Sequence, residues 1–162
     1  MPGVTADPPD GISADVLRSV EAYAATEPRL DVWRRYPHVS DEEDAFTDTW
    51  ACGNVSLEFV QFARSHGLNA IVVEGERSRH PWGVDHMWSR IRIADHPIDI
   101  DWTVRQMHNL DDPPSPAHID LPCPLIWKAN GDHPVGGGFE IVSELTHIRG
   151  PADLVAHNAR QR

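Results

Sequence analysis

Gly67 divides the middle of this chain into two stretches of different hydrophobic period. Before it, from Thr49 to His66, Cys52, Val55, Phe59, Phe62 and Ala63 recur at helical spacing, while Asn54, Glu58, Gln61 and Arg64 fall elsewhere on the wheel. After it, Asn69 to Glu74 is a short β-branched run, a strand signal. His86 to Ile93 then alternates, with Met87, Ser89, Ile91 and Ile93 on one face and His86, Trp88, Arg90 and Arg92 on the other. Ile98 to Val104 alternates again, and Asp95-His96-Pro97 supplies a turn that pairs these two strands as a hairpin. A helix that feeds directly into paired strands predicts an α+β fold, with N-terminal helices packed on a small antiparallel sheet.

The flanks add less. Residues 1–11 are rich in Pro and Gly and read as a flexible tail, leaving 12–162 as a single domain. Ser13 is a plausible N-cap for a helix carrying Val16, Leu17, Val20, Tyr23 and Ala24 and ended by Pro28. A short helix is expected over Asp31 to Tyr36, and the acidic run Asp41-Glu42-Glu43-Asp44 reads as a solvated turn or helix start. Loops are expected from Gly75 to Gly83 and from Asp111 to Pro124, the latter with five prolines. Gly136-Gly137-Gly138 reads as a turn, Phe139 to Val142 as a last strand, and Pro151 onward as a terminal helix.

Charge excludes some functions. With 25 acidic against 14 basic residues, the net charge is −11, which disfavours nucleic acid and anionic membrane surfaces as partners. No apolar run has the length of a membrane span, and no basic segment followed by an apolar stretch opens the chain. A cytoplasmic protein, or one exported by a route that needs no signal peptide, is expected. Ten histidines raise the question of a metal, with His80, His86, His96, His108 and His118 as candidates. They show neither the HExxH motif nor a convincing helical pair, and two cysteines are too few for a thiolate zinc site, so no metal is expected. The three glycines lack the Lys-Ser/Thr of a phosphate loop, and no cofactor is expected.

The two cysteines differ in setting. Cys123 lies between Pro122 and Pro124, and nothing there activates a thiol. Cys52 falls in the first turn of the predicted helix, where free N–H groups and the helix dipole favour the thiolate. A nearby imidazole can then take its proton, and a carboxylate can fix that imidazole's tautomer. His86, at a predicted strand start, is the candidate base. Asp99 and Asp101 share one face of the next strand, opposite Ile98, Ile100 and Trp102, and either can serve as orienter.

The order of these residues resembles the transglutaminase-like and papain-fold superfamily: Cys at a helix start, then His86-Met87-Trp88 at a strand start, then Asp101-Trp102-Thr103 on the next strand. Asp101-Trp102-Thr103-Val104-Arg105-Gln106 is similar to the Asp-Trp-Thr-x-x-Gln signature of bacterial papain-fold toxins and related domains. The intervals of 34 residues (52 to 86) and 15 residues (86 to 101) suit the compact members, including glutamine-deamidase domains. The likeness covers residues 49–107. It implies a papain-like core with Cys52 as nucleophile, His86 as general acid and base, and Asp101 as orienter. Many papain-like enzymes place an oxyanion-stabilising glutamine a few residues before the cysteine, and this chain has none there. Trp50 by its indole N–H, or the backbone N–H of Cys52, is the candidate donor instead; Trp88, on the strand face of His86, is a candidate wall of the site.

The expected function is therefore cysteine-dependent amide hydrolysis or acyl transfer on a protein or peptide, through a thioester: glutamine deamidation, proteolysis or transamidation. The alternative is an inactive papain-like fold kept as a protein-binding module, suggested by the missing glutamine and the acidity.

Overall fold

The computed structural model describes residues 12–26, 51–77, 84–93, 96–104, 122–129, 133–134, 139 and 141–160. These form three helices, α1 (Ala14–Thr26), α2 (Ala51–Ser65) and α3 (Pro151–Arg160), and five strands. The strands are β1 (Ala70–Arg77), β2 (Val84–Ile91), β3 (Ile98–Asp101), β4 (Leu125–Lys128) and β5 (Ile141–Glu144). The expected tail, the short helix over 31–36, the acidic run over 41–44, the tri-glycine turn and most of the proline-rich loop lie outside the described residues.

Each helix has a local reason to start or stop. Ser13 caps α1, its Oγ accepting the Asp15 N–H at 3.2 Å, and Val16, Val20 and Tyr23 face inward. Helix α2 ends in a Schellman motif: the Leu68 N–H reaches back to the Ala63 carbonyl and the Gly67 N–H to the Arg64 carbonyl, both at 3.0 Å. Gly67 takes φ of +80° there, a conformation that costs glycine nothing. The chain enters β1 three residues later, and Arg64 Nε ties the last turn of α2 to the Ala70 carbonyl at 2.9 Å. Pro151 opens α3, and Asp153 accepts the Arg149 and Gly150 N–H groups at 2.9 and 3.3 Å.

The strands lie in the order β4-β3-β2-β1-β5, every pair antiparallel. The predicted hairpin is β2 and β3, with Ser89 opposite Ile100 and Ile91 opposite Ile98. The strands depart from the sequence reading in five places. β1 continues through Gly75 to Arg77, because Gly75 pairs with His86 on one side and Val142 on the other. β2 opens at Val84, so His86 is its third residue rather than its first. β3 stops at Asp101, where the side chain turns back to bond the Thr103 backbone. β4 falls just beyond the proline-rich stretch and had no expectation attached, and β5 begins two residues later than the predicted Phe139.

The sheet is buried on both faces. On one, α1, α2 and α3 cover Val72, Met87, Ile91, Ile98, Ile100 and Trp102, with Val55, Phe59, Val60 and Leu154 among the contacting residues. Tyr23, Phe59 and Trp102 meet here at centroid distances of 5.0 to 5.3 Å. On the other, Ile71, Val73, Trp88 and Phe139 form a second cluster with Trp127 and Val142 against it. A Cβ on Gly75 would stand 2.8 Å from the Phe139 ring and 2.9 Å from Trp88, so only glycine allows this approach. No helix among the described residues is long and apolar enough to cross a membrane.

Candidate active site

Cys52 is the second residue of α2, and its placement is fixed through its own backbone. Ser56 Oγ donates to the Cys52 carbonyl at 2.5 Å, and Ser89 Oγ donates to the Ser56 carbonyl at 3.1 Å. Those buried bonds pin the first turns of α2 to β2, the strand that carries His86. The Cys52 thiol is buried and lies near enough to the His86 ring to help hold the imidazole charged. His86 Nε2 donates to Asp101 Oδ2 at 2.7 Å, which leaves Nδ1 as the nitrogen for the thiol. Three residues separated by 34 and 15 positions are thus brought to one site, the thiol beside the imidazole and the imidazole bonded to the carboxylate.

Strand alternation delivers the carboxylate. Trp102 turns into the helix-covered core against Tyr23 and Phe59, which sends Asp101 to the opposite side of the sheet. There Asp101 is fully buried, and both oxygens are occupied. Oδ1 accepts the Thr103 N–H at 2.9 Å and the Thr103 hydroxyl at 3.4 Å. Oδ2 accepts His86 Nε2 and also His133 Nε2, the latter at 2.8 Å.

Asp99, the other carboxylate of this face, is bound elsewhere. Arg90 grips it with two bonds, Nε to Oδ1 at 2.7 Å and a terminal nitrogen to Oδ2 at 3.0 Å, and Trp88 Nε1 donates to Oδ2 at 2.9 Å. Arg90 also reaches Glu144 on β5 at 2.9 Å, so Asp99 belongs to a network that clasps the sheet. The same bond commits the Trp88 indole N–H, which is not available to an oxyanion. Trp88 instead walls the imidazole, its ring stacked on His86 at 6.2 Å and 29°. Trp50 lies outside the described residues. The backbone N–H of Cys52 remains, in the helix turn whose N–H groups have no partner four residues earlier within the helix.

Burial alone would strip the proton from His86. The charge of Asp101, its hydrogen bond and the contact with Cys52 outweigh that, and the imidazole pKa is raised to about 10. Burial alone would likewise raise Asp101, but the His86 charge and the bonds from His133 and His86 hold its carboxyl well below the usual range. The site therefore favours a charged imidazole beside a charged carboxylate.

His133 carries no local sequence signal of a role: it sits 32 residues from Asp101, outside every regular element. It slots between Trp127 at 4.6 Å and Trp88 at 5.1 Å, with Phe139 beyond. His86, Asp101 and His133 place one ligand atom each within 4.8 Å of one another, close enough for a divalent ion. Both imidazoles direct Nε2 to one carboxylate oxygen, which a protonated Nε2 on each ring satisfies without an ion. The Cys123 thiol donates to the Trp102 carbonyl at 3.1 Å. No protein-family model, curated protein or solved structure matches the chain.

Proposed function

We propose that this chain is a thiol-dependent amide hydrolase or acyltransferase of papain-like design, acting on a protein or peptide. The observation that carries this reading is the buried His86 ring, bonded to the Asp101 carboxylate at 2.7 Å and neighboured by the buried Cys52 thiol. A helix presenting its first turn to adjacent antiparallel strands, with the base on one and the orienter on the next, supports the papain-like core. The nearness of the Cys52 thiol to the His86 ring favours the enzyme over an inert protein-binding module.

In the first half-reaction the Cys52 thiolate adds to the amide carbonyl, and the backbone N–H of Cys52 faces the developing oxyanion. His86 gives its proton to the departing nitrogen, the C–N bond breaks, and a thioester forms. In the second, His86 takes a proton from water as its oxygen adds to the thioester. The C–S bond breaks, a carboxylic acid leaves, and the imidazolium–thiolate pair is restored. An amine in place of water gives transamidation. The compact spacing of the three residues favours hydrolysis, at a glutamine side chain or a peptide bond.

The test is a substrate screen that reads ammonia release from protein glutamine against cleavage of peptide amides. Cys52→Ala is expected to abolish whichever activity is found while leaving the unfolding transition in place. Iodoacetamide at pH 6–7 is expected to label Cys52 well ahead of Cys123, read by peptide mass mapping. Equal labelling of the two would sink the activated-thiol reading.

A further inference from the structure

We infer that His133 is a positioning residue, a second imidazole that anchors Asp101 so that Asp101 can orient His86. The inference rests on the thiol-enzyme reading above and adds a fourth member to its machinery. The geometry is specific: His86 Nε2 and His133 Nε2 approach the same oxygen, Oδ2 of Asp101, at 2.7 and 2.8 Å, and both rings are buried. The two rings lie 5.8 Å apart and 75° from parallel, so they reach the oxygen from different directions.

A carboxylate bonded to one imidazole can rotate about its own axis and still keep that bond. Two donors on Oδ2 and the Thr103 N–H on Oδ1 remove that freedom. The second donor also stabilises the anion, and a hydrogen bond to a charged group is among the stronger ones in a protein interior. Asp101 therefore stays ionised and aimed, and Nε2 of His86 stays protonated, which keeps Nδ1 directed to the thiol. The groups of the described residues that face this cluster are Cys52 from α2, His86 from β2, Asp101 from β3 and His133 itself. Asp99 and Arg90, the next charged groups on β3 and β2, are engaged with each other.

The aromatic slot makes His133 replaceable without emptying it. His133→Leu fills the space between Trp127 and Trp88 but donates no hydrogen bond, and His133→Gln places an amide N–H near the Nε2 position. The readout is the alkylation rate of Cys52 by iodoacetamide from pH 4 to 9, with Cys123 as internal control, so no substrate is needed. His133→Leu is expected to slow Cys52 labelling at pH 6 roughly tenfold and to move the acid limb of the profile to higher pH. His133→Gln is expected to restore most of both. Nitrogen-detected NMR of the imidazoles gives an independent check, with Nε2–H expected on both His86 and His133.

The outcomes separate cleanly. A wild-type Cys52 no more reactive than Cys123 overturns the thiol reading and this inference with it. A reactive wild type whose profile is unchanged in His133→Leu overturns this inference alone. Stoichiometric Zn²⁺ binding to Cys52→Ala that His133→Leu abolishes, with bare Nε2 atoms by NMR, replaces the anchor with a metal site and also overturns it.

Discussion

At the scale of single residues, two aspartates two positions apart do different work, and the difference is set by their partners rather than their burial. Asp101 meets imidazoles, whereas Asp99 meets a guanidinium and an indole. On the proposed thiol-enzyme reading, Asp101→Asn is expected to cost several orders of magnitude in turnover, since an amide in that place no longer selects the useful tautomer of His86. It is also expected to return the imidazole from about 10 towards its ordinary range, read by histidine NMR. Asp99→Asn should leave Cys52 labelling nearly unchanged and instead destabilise the fold by about 3 kcal/mol, because Arg90 loses its buried counter-charge. If Asp99→Asn silences the thiol while Asp101→Asn does not, the orienter has been misassigned. The sequence placed both carboxylates on one face by strand periodicity, but the choice between them depends on Arg90 and Trp88 across the sheet. His133 was not legible at all, because its role arises from a contact across 32 residues with no regular element to carry it.

At the scale of elements, the legible parts were those whose signals are local. The α1 cap at Ser13, the Schellman stop at Gly67 and the β2–β3 hairpin each depend on a few neighbouring residues, and each is present. Errors arose where partners decide. Gly75 reads as a breaker in isolation, yet it is flanked by two strands and faced by Phe139 and Trp88, so absence of a side chain is what its place requires. Gly75→Ala is expected to destabilise the protein by about 1–3 kcal/mol, as overpacking against rigid rings does, in urea unfolding. A neutral outcome would mean the Phe139 ring yields easily. β4 escaped notice because four residues after a proline-rich stretch carry too little pattern, and it is edge pairing with β3 that makes Leu125–Lys128 a strand.

At the scale of the whole molecule, the site is coupled to stability through protons. His86 has a folded pKa above its unfolded value, so the stabilisation it gives is complete below about pH 6.5 and is lost as pH rises through about 10. Asp101 is shifted the other way, so its contribution is present above about pH 4 and fades as pH falls towards its depressed folded value. The stability gap between wild type and His86→Gln is therefore expected to shrink from pH 6 to pH 10 in denaturant titrations. A gap that stays constant across that range would contradict a charged, buried imidazole. Helix α3 joins the sheet through His157 Nε2, 3.1 Å from Glu74 on β1, and through buried Leu154.

The strand order β4-β3-β2-β1-β5 bears on the route by which the chain acquires its chemistry. Residues 51–101 hold α2 and the three central strands, a meander closed by short-range contacts, and with them Cys52, His86 and Asp101. The two outer strands come later, and the chain passes from β4 at one margin to β5 at the other, with His133 on the way. As the polypeptide leaves the ribosome, Cys52, His86 and Asp101 all emerge before His133. On the proposed reading, maturation of the thiol is a late event in biosynthesis, timed by the final third of the chain.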